Sequence, residues 1–533
     1  MPQEQTIQGV DRRTNVALGV AAVFLVVGTM SYFIQALNIA RPKIAAALDG
    51  MSLYAWSVSI PALASAFSAL IFGKLSDMYG RRIMLLISVI FALVGTVSCV
   101  FCTNFVFLIA AFTVANVGLG ASMPLGMAVL GDLFPPVERS KWIGLMNIPM
   151  GIAALLGPTL GGWFADTMGW SAVFWSIIPL LVVCVALVPL GTPSLATPGV
   201  TRRIDVRGCV LAILASSTTI IGISLAGDVF PWASKQVICL LGASLIFWVL
   251  FLRAEYRVEE PILDPQVLRN RSFSTVAAAT LLSCLGQIGM MMYFPMFLQG
   301  VKSISAARSG MIFTPFSLMM AFMGIPVGFL IARTKRYKLL YVIGFFVLTV
   351  QMFGNLLFTA EIPVVWCVIA ATVGGLGLGT IPTVNTVIIQ NAIPKRLLGA
   401  AMGAFFFCML LGIAISPAIL GSAMNTTYAR SLTLPAVLEQ AADKEILEAV
   451  RNPNALLSQE KLAELKTLFD KRGGGGEDLF QQTVEAMRAA METGLRSVFL
   501  IGAVTMLLAF LLITTIPEVP IGSEAKSEEA AGE

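Results

Sequence analysis

The chain has 533 residues, of which 57% are apolar and only 12% are charged; its formal net charge is +5, and it contains no histidine. A typical soluble domain has about 25% charged residues. This composition, with a mean hydropathy of +0.85, excludes a soluble enzyme, a disordered chain and a nucleic-acid-binding protein. The lack of histidine excludes every metal site, catalytic triad and proton relay that needs an imidazole.

Fourteen stretches of the chain have the roughly 20 apolar residues that a membrane-spanning helix needs. Arg12 and Arg13 precede the first stretch, as in a signal peptide. Its apolar run of about 25 residues is too long for a signal-peptide core, so we predict an uncleaved first helix. The predicted helices 1 to 14 are residues 16–40, 53–74, 82–102, 105–132, 142–165, 170–190, 207–226, 236–252, 273–298, 309–332, 339–359, 362–390, 397–424 and 497–516.

The distribution of Lys and Arg between the loops predicts the orientation. With the N-terminus inside, the inner segments before helix 14 hold twenty of these residues and the short outer loops hold five. Because positive charge is retained on the cytoplasmic side, we predict a multi-pass protein of the cytoplasmic (inner) membrane with both termini in the cytoplasm. The five outer cations are Arg41, Lys43, Lys235, Lys302 and Arg308.

The connection between helices 13 and 14, residues 425–496, is a long loop on the predicted outer side. It carries eleven acidic and nine basic residues. Residues 434–450, 458–471 and 477–494 have the apolar spacing of short amphipathic helices. Two interpretations stay open for this loop: a solvated helical cap, or a docking place for a periplasmic adaptor protein.

Short patterns recur along the chain at offsets between 255 and 259 residues, which predicts an internal duplication. The matched positions are Gly73 and Gly328, Gly118 and Gly377, and Pro158 and Pro417. Two six-helix halves with a substrate site between them are typical of secondary transporters. The predicted segments are a cytoplasmic N-terminus (1–15), an N-terminal six-helix bundle (16–190), inserted helices 7 and 8 with their loops (191–272), a C-terminal six-helix bundle (273–516) and a cytoplasmic tail (517–533).

A cluster of glycine and charged residues joins predicted helices 2 and 3: Gly73, Asp77, Gly80, Arg81 and Arg82. Glycine permits a tight turn, and a carboxylate is stabilised at a helix N-terminus or beside an arginine. Such a cluster can form a cytoplasmic gate that holds the inner side closed, although an ordinary positive-inside loop is the simpler alternative. The pattern resembles the signature loop of the major facilitator superfamily.

Predicted helix 5 contains Gly151, Gly157, Pro158, Gly161 and Gly162. Small residues allow close helix packing, and proline bends a helix. This spacing is similar to the helix-5 motif of the superfamily's antiporters. With fourteen helices and a long last outer loop, the chain resembles the 14-helix drug:proton antiporter (multidrug efflux) subfamily. The resemblance implies an all-α membrane protein with the major facilitator fold: two pseudo-symmetric six-helix bundles plus two inserted helices.

Three positions depart from the subfamily that the chain resembles. The usual helix-1 acid is replaced by Phe33, the usual helix-4 arginine by Val114, and an arginine often found in helix 13 by Cys408. No Asp, Glu, Lys or Arg lies in the middle of a predicted helix, whereas intramembrane charges are typical of proton pathways. Proton coupling therefore stays open. The nearest candidate proton-coupling residues are Asp77 and Asp132, at the cytoplasmic ends of helices 2 and 4.

Polar and aromatic residues inside the predicted helices are candidates for a substrate cavity. An interhelical hydrogen bond is the alternative role for each amide, and a cavity without charge favours neutral or lipophilic substrates. The candidates are Tyr32, Phe33, Gln35, Asn38, Trp56, Asn116, Asn147, Gln287, Tyr293 and Asn385.

These patterns predict a secondary transporter that exports drugs or other lipophilic compounds by alternating access. The alternative is an exporter or facilitator of one endogenous metabolite, such as a siderophore or a lipid, with non-standard coupling. A membrane-embedded enzyme would need clustered catalytic groups, and a scaffold would act through residues 425–496. We expect no catalytic residues, no metal and no cofactor; the expected partners are the lipid bilayer and a small-molecule substrate, with no nucleic acid.

Overall fold

The computed structural model describes residues 16–50, 53–134, 142, 145–192, 206–226, 230–256, 258, 265–393, 398–433, 446, 450, 456, 459–470 and 476–516. Long helices dominate these residues. In chain order they are α1 (Val16–Ala47), α2 (Trp56–Tyr79), α3 (Arg81–Val100), α4 (Phe105–Leu133), α5 (Asn147–Thr167), α6 (Ser171–Gly191), α7 (Val206–Leu225), α8 (Lys235–Glu255), α9 (Arg271–Val301), α10 (Ala306–Phe322 and Gly324–Thr334), α11 (Lys338–Asn355), α12 (Val364–Ala392), α13 (Leu398–Ser431) and α14 (Gly476–Thr514).

Each of the fourteen predicted stretches corresponds to one of these helices. Among the described residues, thirteen helices are long and apolar enough to cross a membrane. The remaining one, α7, has a shorter apolar part, Arg207–Ile223. The prediction of an all-α membrane protein is therefore confirmed. Helices satisfy their own backbone hydrogen bonds, which a lipid environment requires.

Helix α1 is longer than its apolar run. The prediction ended it at residue 40, before Arg41, but the helix continues to Ala47 and so contains Arg41, Pro42 and Lys43. Charged side chains in a membrane helix are usually paired with one another or with backbone carbonyls. Lys43 has such a partner, because its Nζ lies 2.9 Å from a carboxylate oxygen of Asp166.

The helices form two sets with the same packing pairs. Each pair in the first set recurs in the second set with both helix numbers raised by eight. We call α1–α6 the first half and α9–α14 the second half. In the first half α1 packs on α5 and α6, and α3 packs on α4 and α6; in the second half α9 packs on α13 and α14, and α11 packs on α12 and α14. The halves meet along α5 with α10 and along α2 with α13, while α7 and α8 pair with each other.

Two glycines of α4 and two of α12 have the same packing role in their respective halves. A Cβ on Gly118 would lie 2.0 Å from a backbone oxygen of α3, and one on Gly377 would lie 2.5 Å from a side chain of α11. Similarly, Gly120 faces the backbone of α2 and Gly379 faces the backbone of α10. The spacing that recurs in the sequence therefore marks the places where equivalent helices approach most closely.

Helix α9 departs from regular α geometry toward its C-terminus. Residues Gly289–Tyr293 and Phe297–Val301 are π-helical, separated by the single α-helical turn Phe294–Met296. A π-helical segment changes which way the following side chains point, and such segments are frequent at functional sites. The second π-helical segment contains Gln299, which contacts the first half.

Part of the long outer connection is helical. The segment predicted over 458–471 is the helix Gln459–Asp470, which we call the loop helix, and the segment predicted over 477–494 forms the beginning of α14. Most of residues 434–450 lie outside the described residues. Helix α14 has 39 residues, a length of about 58 Å, which exceeds the roughly 30 Å of a bilayer core.

Two ion pairs connect the loop helix to other segments. Lys466 Nζ lies 3.1 Å from Glu477 of α14, and this exposed pair raises the pKa of Lys466. Lys461 Nζ lies 2.8 Å from Asp49, which follows α1. The loop helix therefore contacts both halves at the predicted outer end.

Candidate functional site

A cavity of about 1040 Å³ lies between the two halves and is lined mainly by residues of α1, α5, α9, α10, α12 and α13. No Asp, Glu, Lys or Arg is present among its described lining residues, and four of them are methionines. Methionine side chains are flexible and adapt to ligands of different shape. The polar lining residues are Ser31, Gln35, Thr280, Ser283, Gln287, Thr383, Asn385 and Thr386.

Three of the predicted cavity residues, Gln35, Gln287 and Asn385, line this space. Asn385 is held in place, because its Nδ2 donates to Thr280 Oγ1 at 3.2 Å and its Oδ1 accepts from the Tyr341 hydroxyl. Gln35 is buried, and its Oε1 has no partner among the described residues. Among the described residues, Gln287 Nε2 contacts a methionine sulfur, 3.7 Å away. Gln35 and Gln287 are therefore the lining amides whose hydrogen-bonding groups the described residues use least.

Three other predicted residues make contacts within the first half and do not line the cavity. The Tyr32 hydroxyl lies 3.0 Å from Ser176 Oγ of α6. Phe33 is buried with its ring centroid 6.4 Å from that of Phe112 in α4. Asn116 Nδ2 donates to the Phe112 carbonyl at 2.9 Å. The first contact joins α1 to α6 and the second joins α1 to α4, whereas the third lies within α4.

Three of the remaining predicted residues also lie away from the described cavity lining. Tyr293 is fully buried, and its ring packs edge-on against Tyr54 with 6.1 Å between centroids. Asn38 is buried, and Trp56 is half-buried against the core. The side chain of Asn147 lies outside the described ones. Sequence reasoning missed the hydroxyl groups of the lining, because serine and threonine are common inside membrane helices and carry no distinguishing signal.

Glycines of α5 bring this helix into close contact with α1. A Cβ on Gly157 would lie 2.6 Å from Gln35 Cβ, and one on Gly161 would lie 2.7 Å from Ala36 Cα. Real Cβ contacts are essentially never this short, so a larger residue at either position would push the helices apart. This packing supports the backbone of Gln35 at the edge of the cavity.

The other face of α5 packs against α10 and so forms a seam between the halves. A Cβ on Gly162 would lie 2.4 Å from the Ala306 carbonyl oxygen, and a Cβ on Gly151 would meet the Phe322 ring at 2.0 Å. On α10, Gly310 approaches the carbonyl of Pro158 in the same way. All five residues of the predicted helix-5 motif therefore lie along contacts with α1 or α10.

Hydrogen bonds between the halves concentrate at the predicted outer end among the described residues. The Tyr54 hydroxyl donates to the Met292 carbonyl at 3.2 Å, and Gln299 Nε2 donates to the Ile39 carbonyl at 3.0 Å. The Tyr54 side chain that makes the first of these bonds is buried. The cavity is thus closed at the predicted outer end.

A family model for the Major Facilitator Superfamily matches residues 22–417, which is most of the chain. The chain belongs to the Major Facilitator Superfamily. The predicted resemblance and fold are therefore confirmed, and the chain is a member of a transporter family.

Individual superfamily members are similar to the chain over much of its length. It is 29% identical over 398 residues to "Multidrug transporter protein MdtP" of Bacillus subtilis (strain 168), covering 74% of this chain and 72% of the relative. It is 26% identical over 396 residues to "Multidrug resistance protein 3" of the same organism, covering 74% and 76%. A crystal structure of a bacterial homologue of the human lysosomal transporter Spinster, inward-facing and unoccupied, aligns with a TM-score of 0.59 at 13% identity, covering 93% of this chain and 97% of that one.

The predicted signature loop forms a compact turn between α2 and α3. Gly80 has a φ of 95°, and its N–H donates to the Ser76 carbonyl at 3.1 Å. Ser76 Oγ donates to the Gly73 carbonyl at 2.7 Å and accepts a hydrogen bond from Arg81 Nη1. The turn therefore joins three of the predicted gate residues through one buried serine.

Of the other residues assigned to gating or coupling, Arg82 is half-buried at the start of α3. The side chains of Asp77 and Asp132 lie outside the described ones, so their roles in this superfamily member stay predictions.

Proposed function

We propose that this transporter exports lipophilic compounds without a net charge, drugs among them, from the cytoplasm by alternating access. The observation that carries the proposal is the uncharged, methionine-containing cavity between the halves. Burying an unpaired charge is costly, so a cavity without a carboxylate favours neutral ligands over cations. The multidrug functions named for the two Bacillus subtilis relatives support the drug-export part.

We propose that α1 begins in the cytoplasm and that the protein lies in the cytoplasmic membrane. The excess of Lys and Arg in the predicted inner loops supports this orientation. In that orientation the cavity faces the cytoplasm, since the hydrogen bonds between the halves lie at the opposite end. Compounds would then enter from the side on which an exporter must bind them.

The division into two six-helix bundles with α7 and α8 inserted is also part of this proposal. It is supported by the recurrence of the same helix pairs in both halves. In such a transporter the halves rock about the central site, which is exposed first to one side and then to the other.

An adaptor protein at residues 425–496 is a separate proposal about partners. It is supported by the length of α14, whose first turns extend beyond a bilayer core of about 30 Å. Deleting the loop helix tests it: an adaptor function predicts loss of co-purification with a periplasmic protein, whereas a solvated cap predicts retained flux in liposomes.

The test of function uses purified protein in liposomes that contain a pH-sensitive dye. A pH gradient is imposed, a panel of neutral and cationic lipophilic drugs is added, and substrate flux and proton flux are followed together. We expect faster flux of neutral compounds than in protein-free liposomes. Flux limited to cations, or no flux of any compound by correctly folded protein, would contradict the proposal.

The same experiment decides the coupling. Proton movement that accompanies substrate movement would identify an antiporter, with Asp77 and Asp132 as the first residues to substitute. Substrate movement without protons would identify facilitated diffusion or another coupling ion. Neither outcome changes the assignment of the cavity.

A further inference from the structure

Asp166, near the C-terminal end of α5, uses both oxygens of its carboxylate. Oδ1 accepts a hydrogen bond from Lys43 Nζ at 2.9 Å, and Oδ2 accepts one from the backbone N–H of Ala307 at 2.6 Å. Lys43 belongs to α1 of the same half, whereas Ala307 belongs to α10 of the other half. One carboxylate therefore joins three helices at the predicted outer end.

The position of Asp166 is unfavourable with respect to its own helix. A negative charge near a helix C-terminus opposes the helix dipole, whereas near an N-terminus it is stabilised. Asp166 belongs to the last turn of α5, but its side chain lies beside the N-terminus of α10, where Ala307 is the second residue. Its favourable electrostatic interaction is thus with a helix of the other half.

The N-terminus of α10 is capped from two sources. Ser305 of the preceding loop accepts from the backbone N–H of Arg308 at 3.3 Å, and Asp166 accepts from that of Ala307. The first N–H groups of a helix have no intrahelical partner. If α5 moved away from α10, Ser305 would stay in place, and the Ala307 N–H would lose its partner to solvent.

The hydrogen bond between the Ala307 N–H and Asp166 can form only while α5 and α10 are packed together, as they are in the seam next to Asp166. Gly162 lies one helical turn before Asp166, and a Cβ there would be 2.4 Å from the Ala306 carbonyl oxygen. One turn deeper, the hydroxyls of Thr159 and Thr314 lie 3.1 Å apart across the same seam. A separation of α5 and α10 by a few ångströms would break both contacts, since hydrogen bonds weaken steeply with distance.

We propose that Asp166 is an outer latch: by capping α10 from the other half, it stabilises the closed outer side and so sets the fraction of transporters whose cavity faces the cytoplasm. Lys43 is its positioning residue, which holds the carboxylate toward α10. This inference rests on the proposed function for the orientation and for alternating access.

A purely structural cap is the competing explanation, and the chain offers a matched control for it. Glu492 of α14 accepts from the backbone N–H of Ala360 at 3.0 Å. That contact has the same chemistry, but both of its residues lie in the second half. Removing it should loosen the connection between α11 and α12 without changing how the halves meet.

The first test measures opening of the outer side in intact cells. Thr314→Cys places a thiol in the seam, and labelling with a membrane-impermeant maleimide reports its accessibility from outside. Of the eight native cysteines, only Cys239 is exposed and Cys408 half-buried, so Cys239→Ser and Cys408→Ser remove the background. We expect D166A to label about tenfold faster than the parent, the order of change expected from losing a charge-assisted contact, and E492A to label at the parent rate.

The second test follows hydrogen exchange of a peptide that covers Ala307, with purified protein in detergent. We expect faster exchange in D166A and a smaller increase in K43Q, which keeps the cap but removes the ion pair. D166N keeps an acceptor without charge, so its exchange rate should lie between those of D166A and K43Q. It serves as the main variant if D166A is poorly folded.

The latch is overturned if D166A and D166N label like the parent, or if E492A changes labelling as much as D166A does. Flux measured in liposomes separates this failure from failure of the proposed function. A parent protein that moves no compound contradicts the function, whereas a parent that transports normally beside an unresponsive D166A contradicts the latch alone.

Discussion

Gly80 and Lys335 stand 255 positions apart and occupy the same turn in the two halves. Gly80 lies between α2 and α3 with a φ of 95°, and Lys335 lies between α10 and α11 with a φ of 55°. The two turns differ in the residue they permit. Lysine tolerates the left-handed helical region at a modest cost, but the backbone of Gly80, with a ψ of 145°, lies in a region that essentially only glycine adopts.

Substituting these two residues should therefore have opposite effects. We expect Gly80→Ala to lower the free energy of unfolding by about 1–3 kcal/mol and Lys335→Gly to leave it unchanged or raise it by up to about 1 kcal/mol. Thermal unfolding of the purified protein in detergent measures both. Equal destabilisation by the two variants would show that backbone strain does not distinguish the turns.

Filling the contact between α5 and α1 should damage the transporter. A Cβ on Gly161 would lie 2.7 Å from Ala36 Cα, whereas a Cβ on Gly242 of α8 would meet nothing within 4 Å. We expect Gly161→Ala to lower the unfolding temperature and reduce flux at least severalfold. Gly242→Ala is the control, and it should be neutral or stabilising by up to about 1 kcal/mol, since alanine is the better helix former.

Removing the amide of Gln35 should change selectivity more than stability. In Gln35→Leu we expect about two- to tenfold weaker transport of compounds that carry a hydrogen-bonding group, since one such bond contributes about 0.5–1.5 kcal/mol. Purely hydrocarbon-like compounds should be transported as well as before. Gln351→Leu is the control: Gln351 is also buried with an unpartnered Oε1, but it does not line the cavity. An equal change of selectivity in both variants would show that Gln35 does not contact substrate.

Adding a carboxylate to the cavity should shift its substrate preference from neutral compounds toward cations. Gln35→Glu introduces the negative charge that the described lining lacks, and opposite charges attract strongly where water is scarce. We expect the ratio of lipophilic-cation flux to neutral-compound flux to rise severalfold in liposomes. An unchanged ratio at a pH well above the usual glutamate range would contradict the assignment of this space to substrate.

The sequence predicted the helices well because membrane helices need long apolar runs. The C-terminal end of α1 was missed, since the apolar run stops at Arg41 while the helix continues to Ala47, with Lys43 paired to Asp166. The helix-5 motif was also recognisable from sequence, because close packing admits only small residues at Gly157 and Gly161.

The cavity could be predicted only in part. Gln35 faces it, and Tyr32, three residues earlier on α1, instead contacts Ser176. A membrane helix is apolar on all sides, so its sequence lacks the polar face that orients a helix at a water-exposed surface. The choice between a ligand and a neighbouring helix was therefore open for each polar residue.

By itself, the sequence determined that the chain spans the membrane, that its helices are arranged in two related sets, and which superfamily it resembles; these follow from local composition and from spacing along the chain. Only the tertiary structure decided which amides face the cavity, which end is closed, and that Asp166 caps a helix more than a hundred residues away. Those properties depend on how separate helices pack, and contacts between distant segments leave no periodic pattern in a single sequence.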